Sequence, residues 1–195
     1  MIKICLIRHG KTAGNLKRKY IGRTDEPLCA EGKKALSQVI ESGRYPESER
    51  LFVSPMTRCI ETATMIYPNH PYRIEEDLRE CDFGMFEGKT YEELKNEPEY
   101  QAFLEHGGMG DIPKGESVEQ MKARCHKVFC SILSELQKDG CQTASIVCHG
   151  GTIMAILEQF SQSPKGFYDY QIENCGAYIC MFDEEQRCFV TIEKC

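Results

Sequence analysis

The segment LIRHGKT, residues 6–12, decides how this chain folds. It continues an apolar run that starts at Ile2, and a short apolar run bounded by a turn signal predicts a buried β-strand. Arg8 and His9 follow the last apolar residue, and Gly10 gives the backbone freedom to turn. The sequence therefore predicts a strand that ends in a turn containing a cationic side chain, Arg8, and an imidazole, His9.

Two more predicted strands end in polar turns. Residues 51–53 form a short apolar run before Ser54, and residues 143–148 form another before His149. Arg58 lies one helical turn beyond Ser54. In open α/β sheets, the carboxyl ends of parallel strands form one crevice in which ligands bind. If the three strands are parallel neighbours, the histidines and arginines converge there.

Helical periodicity and capping signals predict the other elements. Helices are predicted at about residues 28–40, 55–67, 91–105, 118–139 and 152–160, and weaker strands at 71–74, 177–182 and 188–192. Ser54 is the predicted N-cap of the second helix, with Pro55 as its first residue. Ser117 and Gln120 predict a capping box at the fourth. Short strands alternating with helices indicate an α/β fold, and we expect residues 1–195 to form one domain.

Composition and charge exclude several classes of protein. The 195 residues are 41% hydrophobic, and 24 basic against 30 acidic residues give a net charge of −6. This balance argues against nucleic acid as a partner, because such binding needs a dense basic surface. No apolar run approaches the roughly 20 residues that span a bilayer. The amino-terminal run is too short and too charged for a signal peptide. We therefore expect a cytoplasmic protein with no membrane partner.

Twelve cysteines are unusual at this length. Six disulfides are one interpretation and a zinc-binding regulatory module is another, but no two cysteines have the Cys-x-x-Cys spacing of zinc knuckles. Most lie among apolar residues, where a reduced thiol behaves as a small hydrophobic group. That interpretation is favoured, and no metal is expected.

Phosphate is the ligand that these strand ends favour. Two arginines offer planar, bidentate donors to a phosphate, and helices beginning at the turns offer their N-termini. A histidine among cations resists protonation, so its imidazole remains a nucleophile near neutral pH. A second histidine, protonated against the bound dianion, would complete the cradle. Taken singly, each motif also fits a structural turn, and Arg58 could simply pair with Glu61. His70, His106 and His126 are expected on the surface.

Together, the motifs resemble the histidine phosphatase superfamily, which includes the cofactor-dependent phosphoglycerate mutases. The matching segments are LIRHGKTAGN (6–15), GRTDEPL (22–28) with Gly32, SPMTRCIETA (54–63), LRECDFGMFEG (78–88), GES (115–117) and VCHGG (147–151). They occur in family order over most of the chain. The resemblance implies a three-layer α/β/α sandwich around a mostly parallel sheet.

The resemblance also implies roles for individual residues. His9 would be the nucleophile that forms a phosphohistidine, and Glu80 the acid that protonates the leaving oxygen and then activates water. Arg8, Arg58 and His149 would bind the phosphoryl oxygens. Asn15 and Gly150 would assist them, and Ile21 and Gly22 would contact the substrate. No cofactor is implied, and the oligomeric state stays open, with a dimer as one option.

Hydrolysis is favoured over mutase activity, because a mutase needs extra cations for the second acidic group of its substrate. Residues 86–115 contain three lysines, no arginine and seven acidic residues. Among phosphatases, the chain most resembles bacterial α-ribazole phosphatases, although related phosphomonoesterases share the motifs. A phosphoglycerate mutase and a non-catalytic phospholigand-binding domain remain alternatives. Tyr91, Tyr100, Phe103 and Met109 could form an apolar wall at the site, but the buried face of an ordinary helix is favoured.

Overall fold

The structure, a computed structural model, describes residues 1–195 and contains one six-stranded sheet. The strands are β1 (Ile2–Arg8), β2 (Arg50–Val53), β3 (Arg73–Ile74), β4 (Thr143–Cys148), β5 (Ala177–Asp183) and β6 (Cys188–Lys194). The helices are α1 (Ala13–Leu16), α2 (Ala30–Glu41), α3 (Thr57–Ile66), α4 (Tyr91–Leu94), α5 (Pro98–Glu105), α6 (Val118–Asp139) and α7 (Gly150–Phe160). None of these helices combines the length and the apolar character that crossing a bilayer requires.

The sheet has the strand order β3-β2-β4-β1-β5-β6. The first four strands in this order are mutually parallel. Strand β5 runs antiparallel to β1, and β6 runs antiparallel to β5, so that β5 and β6 form a hairpin. Arg8 lies opposite Cys148, and Val53 lies opposite Val147. The carboxyl ends of β1, β2 and β4 are therefore level with one another, and the turns that follow them share one edge of the sheet.

Alternation along the strands divides the core into two layers. Ile4 and Leu6 pack on the same side as the apolar faces of α6 and α7. Cys5 and Ile7 point to the other side and pack in a cluster with Cys59 of α3. A strand buried on both faces needs helices on both faces. The expected three-layer α/β/α sandwich with a mostly parallel sheet is confirmed.

The predicted start of α3 is wrong. The helix begins at Thr57 after an N-cap at Met56, whose side chain makes no capping bond. Asp25 supplies the cap from a distant loop, because its carboxylate accepts bonds from the Thr57 N–H at 2.8 Å and the Thr57 hydroxyl at 2.7 Å. Ser54 lies before the helix, and its hydroxyl is bonded to His149 instead.

Several other boundaries differ from the sequence pattern, and α7, for example, begins at Gly150 rather than at Thr152. The predicted helix at 91–105 is two short helices, α4 and α5, because Pro98 starts a new helix at its first position. Helix α2 begins at Ala30 rather than at Leu28, and β3 has only two residues. The capping box of Ser117 and Gln120 at the start of α6 is confirmed.

The cysteines are free thiols distributed over the whole fold, seven of them buried. Burial raises the pKa of these buried thiols, for example that of Cys59 to about 12. They therefore pack as neutral groups at physiological pH. No group of three His, Cys, Asp or Glu side chains is arranged to hold a metal ion.

Candidate active site

The turns after β1, β2 and β4 bring the predicted histidines together at the carboxyl edge of the sheet. The ring centroids of His9 and His149 are 5.1 Å apart in an edge-to-face arrangement. Both rings are buried, with 4% and 0% of their surface exposed, and Arg58 is also 0% exposed. The convergence that the strand ends predict is present in the structure.

The hydrogen bonding of His9 defines its tautomer. Its Nδ1 lies 2.7 Å from the carbonyl oxygen of Gly10, and a carbonyl can only accept, so Nδ1 carries the proton. The neutral ring therefore has its lone pair on Nε2. Burial, followed by the charges of Arg58 and Arg8, holds the pKa of His9 well below its usual value. His9 is a neutral imidazole with a free nucleophilic nitrogen at physiological pH.

Arg58 connects the second histidine to a loop. Its Nε donates to His149 Nδ1 at 3.3 Å, while its two terminal nitrogens donate to the carbonyl oxygens of Thr24 and Gly22, each at 2.9 Å. Three of its five N–H groups are thus used, and two remain for an anion. Arg58 does not pair with Glu61, whose carboxylate bonds to Lys33 and to the N–H of Leu28.

His149 is neutral in this arrangement. Because Nδ1 accepts from Arg58, the ring proton is on Nε2, which donates to the Ser54 hydroxyl at 2.7 Å. Burial lowers the pKa of His149 well below its usual value, and the charge of Arg58 adds to this effect. Its expected protonation against a phosphoryl dianion stays a prediction.

Arg8 provides the second cation. One terminal nitrogen donates to the carbonyl oxygen of Ile172 at 2.5 Å, while the buried Nε has no hydrogen-bond partner within the protein. An unpaired buried donor is costly, and its presence beside other cationic groups favours an anion site. Burial lowers the pKa of Arg8, and the carboxylates of Glu80 and Glu173 offset part of that effect.

The Glu80 carboxylate lies at the same edge of the sheet, next to the first turn of α7. One carboxylate oxygen accepts the N–H of Gly151 at 3.1 Å, and the other accepts the N–H of Cys81 at 3.0 Å. A Cβ on residue 151 would lie 2.4 Å from a Glu80 carboxylate oxygen, so a larger residue there would displace this carboxylate. Each oxygen keeps a second lone pair for a proton.

The remaining predicted site residues have more varied positions. Asn15 uses its Oδ1 in the capping box of α1, so its amide N–H groups stay available. Gly150 lies beside Arg8, where a Cβ would lie 3.4 Å from the guanidinium. Gly22 supports Arg58 through its carbonyl, and Ile21 lies against Gly14. Neither Ile21 nor Gly22 lines the cavity described below, and their expected contact with the substrate stays a prediction.

Glu87 is a supporting residue that the sequence analysis did not single out. Its Oε1 accepts the N–H groups of Gly22 at 2.8 Å and Thr24 at 2.9 Å, the two residues whose carbonyls hold Arg58. Its Oε2 is buried without a partner. Glu87 therefore fixes the loop that orients Arg58. It lies within the quoted segment 78–88, but nothing local to that segment reveals a bond to residues more than sixty positions away.

A cavity of about 410 Å³ is lined by Arg8, Glu80, Gly150 and Gly151, and so reaches the residues next to His9 and His149 in the sequence. His9, Arg58 and His149 do not themselves line it, and eleven of its eighteen lining residues are hydrophobic. Of the four residues considered for an apolar wall, Phe103 lines the cavity. Tyr100 does not line it; this residue is buried, and its hydroxyl is hydrogen-bonded to that of Tyr20. Tyr91 is exposed, and neither it nor Met109 lines the cavity.

The other three histidines lie away from this site. His106 and His126 are exposed. His70 is half-buried, and both of its ring nitrogens are bonded to backbone carbonyl oxygens, those of Pro71 and Ser48. No imidazole outside the His9–His149 pair is therefore placed to take part in its chemistry.

An α/β/α sandwich that gathers two histidines and two arginines at the carboxyl edge of its sheet has the architecture of a phosphoryl-binding protein. Comparison with protein families makes the class specific. The family model of the histidine phosphatase superfamily (branch 1) matches residues 4–194. The chain belongs to that superfamily, whose members are phosphatases or mutases.

Individual relatives divide between those two activities. The chain is 34% identical over 137 residues to a probable phosphoglycerate mutase GpmB of Salmonella paratyphi C, a match covering 68% of this chain and 64% of the relative. An α-ribazole phosphatase from Shigella flexneri superposes with a TM-score of 0.86 at 22% identity, covering 98% and 95% of the two chains. A phosphoserine phosphatase mutant from Entamoeba histolytica, in complex with phosphoserine, gives a TM-score of 0.80 at 25% identity, covering 98% and 96%.

Proposed function

We propose that this protein is a metal-independent phosphomonoesterase that acts through a phosphohistidine on a small phosphorylated metabolite. The first step would be attack by the Nε2 lone pair of His9 on phosphorus. The His9 tautomer supports this role, because the Nδ1–H bond to Gly10 leaves that lone pair free. As the new N–P bond forms, the P–O bond to the alcohol breaks.

Glu80 would handle the proton in both half-reactions. In the first, its carboxyl group donates a proton to the departing alcohol oxygen, which prevents a strongly basic alkoxide from forming. In the second, the resulting carboxylate takes a proton from water as that water attacks phosphorus. The N–P bond breaks, His9 is restored and inorganic phosphate leaves. Arg8 and Arg58 would neutralise the charge on the phosphoryl oxygens, His149 would do so once protonated against the bound dianion, and Asn15 would assist.

The charge of the cavity supports hydrolysis rather than mutase activity. Arg8 is the only basic residue that lines it, and the other charged residues there are Glu80 and Glu173. A mutase must hold a bisphosphorylated acid between its two transfers, which needs cations beyond those that bind the transferred group. The lack of a second cation in the cavity is the reason that we propose a phosphatase rather than the phosphoglycerate mutase activity named for the GpmB relatives.

α-Ribazole phosphate is the specific substrate that we propose to test first. The named activity of the Shigella flexneri relative and the apolar wall of the cavity both support it. A non-catalytic phospholigand-binding role is less well supported, because a binding protein has no need of a neutral buried histidine with its lone pair free.

The deciding experiment measures hydrolysis of an aryl phosphate with and without a chelator. We expect turnover that the chelator leaves unchanged and vanadate inhibits. His9→Ala should lower turnover to background, while His126→Ala, on the exposed face of α6, serves as the matched control. Acid-labile, alkali-stable labelling of the native protein by radioactive substrate would report the phosphohistidine. Activity retained in His9→Ala, or interconversion of phosphoglycerate isomers at a higher rate than hydrolysis, would overturn the proposal.

A further inference from the structure

The cavity beside the phosphoryl site has a largely apolar lining, because eleven of its eighteen lining residues are hydrophobic. Five aromatic rings border it: Tyr20, Phe83, Phe103, Phe167 and Tyr168. Its volume of about 410 Å³ is within the usual range for a small-molecule site. Gln171 and the hydroxyls of Tyr20 and Tyr168 are the main uncharged polar side-chain groups in the lining, so an alcohol with many hydroxyl groups and no apolar part would regain only some of the hydrogen bonds that it makes to water. The body of the cavity is therefore suited to an apolar, ring-sized group.

Three charged residues line the cavity: Arg8, Glu80 and Glu173. Arg8 is committed to the phosphoryl site, where its Nε lacks a partner and its terminal nitrogen donates to Ile172. Glu173 is exposed, and its charge acts on Arg8 across the cavity. Apart from Glu80, it is the only anionic group in the lining. A second negative charge on a substrate would meet a carboxylate and no free cation.

We infer that the leaving alcohol of the natural substrate carries a bulky apolar or aromatic group and no negative charge, and that Glu173 disfavours esters with a second anionic group. This inference rests on the proposed phosphatase function and specifies its substrate class. Glu173 acts on specificity, since it lines the cavity and forms no hydrogen bond with His9. An ammonium or hydroxyl group of a bound ester is compatible with its carboxylate, and a second carboxylate is not.

The test for charge uses three phenyl phosphates with para-ethyl, para-aminoethyl and para-carboxyethyl substituents. The two-carbon spacer keeps the phenol leaving groups similar, so kcat/KM reports the cavity. We expect the ethyl and aminoethyl esters to exceed the carboxyethyl ester by about tenfold, because a repulsive contact at a solvent-exposed site is of modest strength. Equal kcat/KM for the ethyl and carboxyethyl esters would overturn the inference.

Substitution of Glu173 tests whether this residue causes the discrimination between the ethyl and carboxyethyl esters. Glu173→Gln should reduce the ethyl-to-carboxyethyl ratio of kcat/KM by at least about threefold, and Glu173→Lys should reduce it further. Glu193→Gln, on the exposed edge strand β6, is the matched control and should leave the ratio unchanged. A ratio that is the same in Glu173→Gln and the native protein would remove Glu173 from this role.

The test for apolar character compares phenethyl phosphate with ethyl phosphate, whose leaving alcohols are similarly basic. Burial of the phenyl ring should raise kcat/KM by at least about tenfold. Hydrolysis of every ester at similar kcat/KM would overturn the inference while the proposed phosphatase function stands. No His9-dependent hydrolysis of any ester would overturn both.

Discussion

At the scale of single residues, Arg58 organises the site. It is the largest fully buried side chain in the molecule, and it joins His149 to the loop that contains Gly22 and Thr24. A buried guanidinium is stable only when its donors are paired. Its bond to Nδ1 fixes the tautomer of His149, and its charge adds to the effect of burial in lowering the pKa of both histidines. One side chain thus helps to keep both imidazoles neutral.

Glu80 gives the sharpest prediction at this scale. Glu80→Gln removes the acid while keeping its shape, so substrates with poor leaving groups should suffer most. We expect kcat/KM for an alkyl phosphate to fall by roughly two to four powers of ten, and that for p-nitrophenyl phosphate by less than about tenfold. Because the amide nitrogen cannot accept the N–H of Gly151 or Cys81, thermal unfolding is measured alongside. Equal losses on both substrates would contradict the acid role.

At the scale of elements, the sequence predicted what local patterns determine and missed what distant contacts determine. The β1 strand with Arg8 and His9 at its end, and the capped α6, follow from short-range patterns and are as predicted. The start of α3 does not follow, because Asp25 caps it from another loop. Glu80 likewise has no local signal among many acidic residues, and only the family resemblance selected it.

Arg124 of α6 provides the prediction at the element scale. It forms a bidentate ion pair with Glu116 and donates to the carbonyls of Asp77 and Arg79 at 2.7 and 3.0 Å. These bonds hold the turn that leads into Glu80. Arg124→Gln should lower the free energy of unfolding by about 2–3 kcal/mol, since it leaves a partly buried carboxylate unpaired. It should also lower kcat for an alkyl phosphate about tenfold, with little change in KM, because a displaced acid affects chemistry more than binding.

The matched control is Lys122→Gln on the same helix. Lys122 pairs with Glu158 of α7 at 2.6 Å, and this pair is more exposed than that of Arg124. We expect Lys122→Gln to lower the free energy of unfolding by less than about 1 kcal/mol and to leave kcat unchanged. If both variants alter stability but neither alters kcat, Arg124 supports the fold without positioning Glu80.

At the scale of the whole molecule, the strands β1, β2 and β4 end side by side and create a positively charged site in a protein whose net charge is negative. The chain carries a net charge of −6, yet the carboxyl edge of the sheet gathers two arginines and two histidines. A cationic pocket inside an anionic protein admits a phosphate while the surface repels other polyanions. The parallel register of β1, β2 and β4 produces this arrangement, so the fold itself contributes to selectivity.

This arrangement makes global stability dependent on pH in a specific window. His9 and His149 have pKa values well below 6.5 in the folded state, owing to burial and then to Arg58, whereas in the unfolded chain they titrate near 6.5. Below that value the unfolded state binds more protons, so the free energy of unfolding falls as the pH falls. Two such groups predict a loss of about 2–3 kcal/mol between about pH 7.5 and pH 5.5. Asp and Glu in the unfolded chain titrate near pH 4, outside this window.

Urea denaturation across that range measures the effect. His149→Gln removes one of the two titrating groups and should remove about half of the pH dependence. His106→Gln removes an exposed imidazole and should leave the dependence intact. A free energy of unfolding that stays constant from pH 7.5 to about 5.5 would mean that the two buried imidazoles are not held neutral by the fold. The nucleophilic state of His9 at neutral pH would then need another explanation.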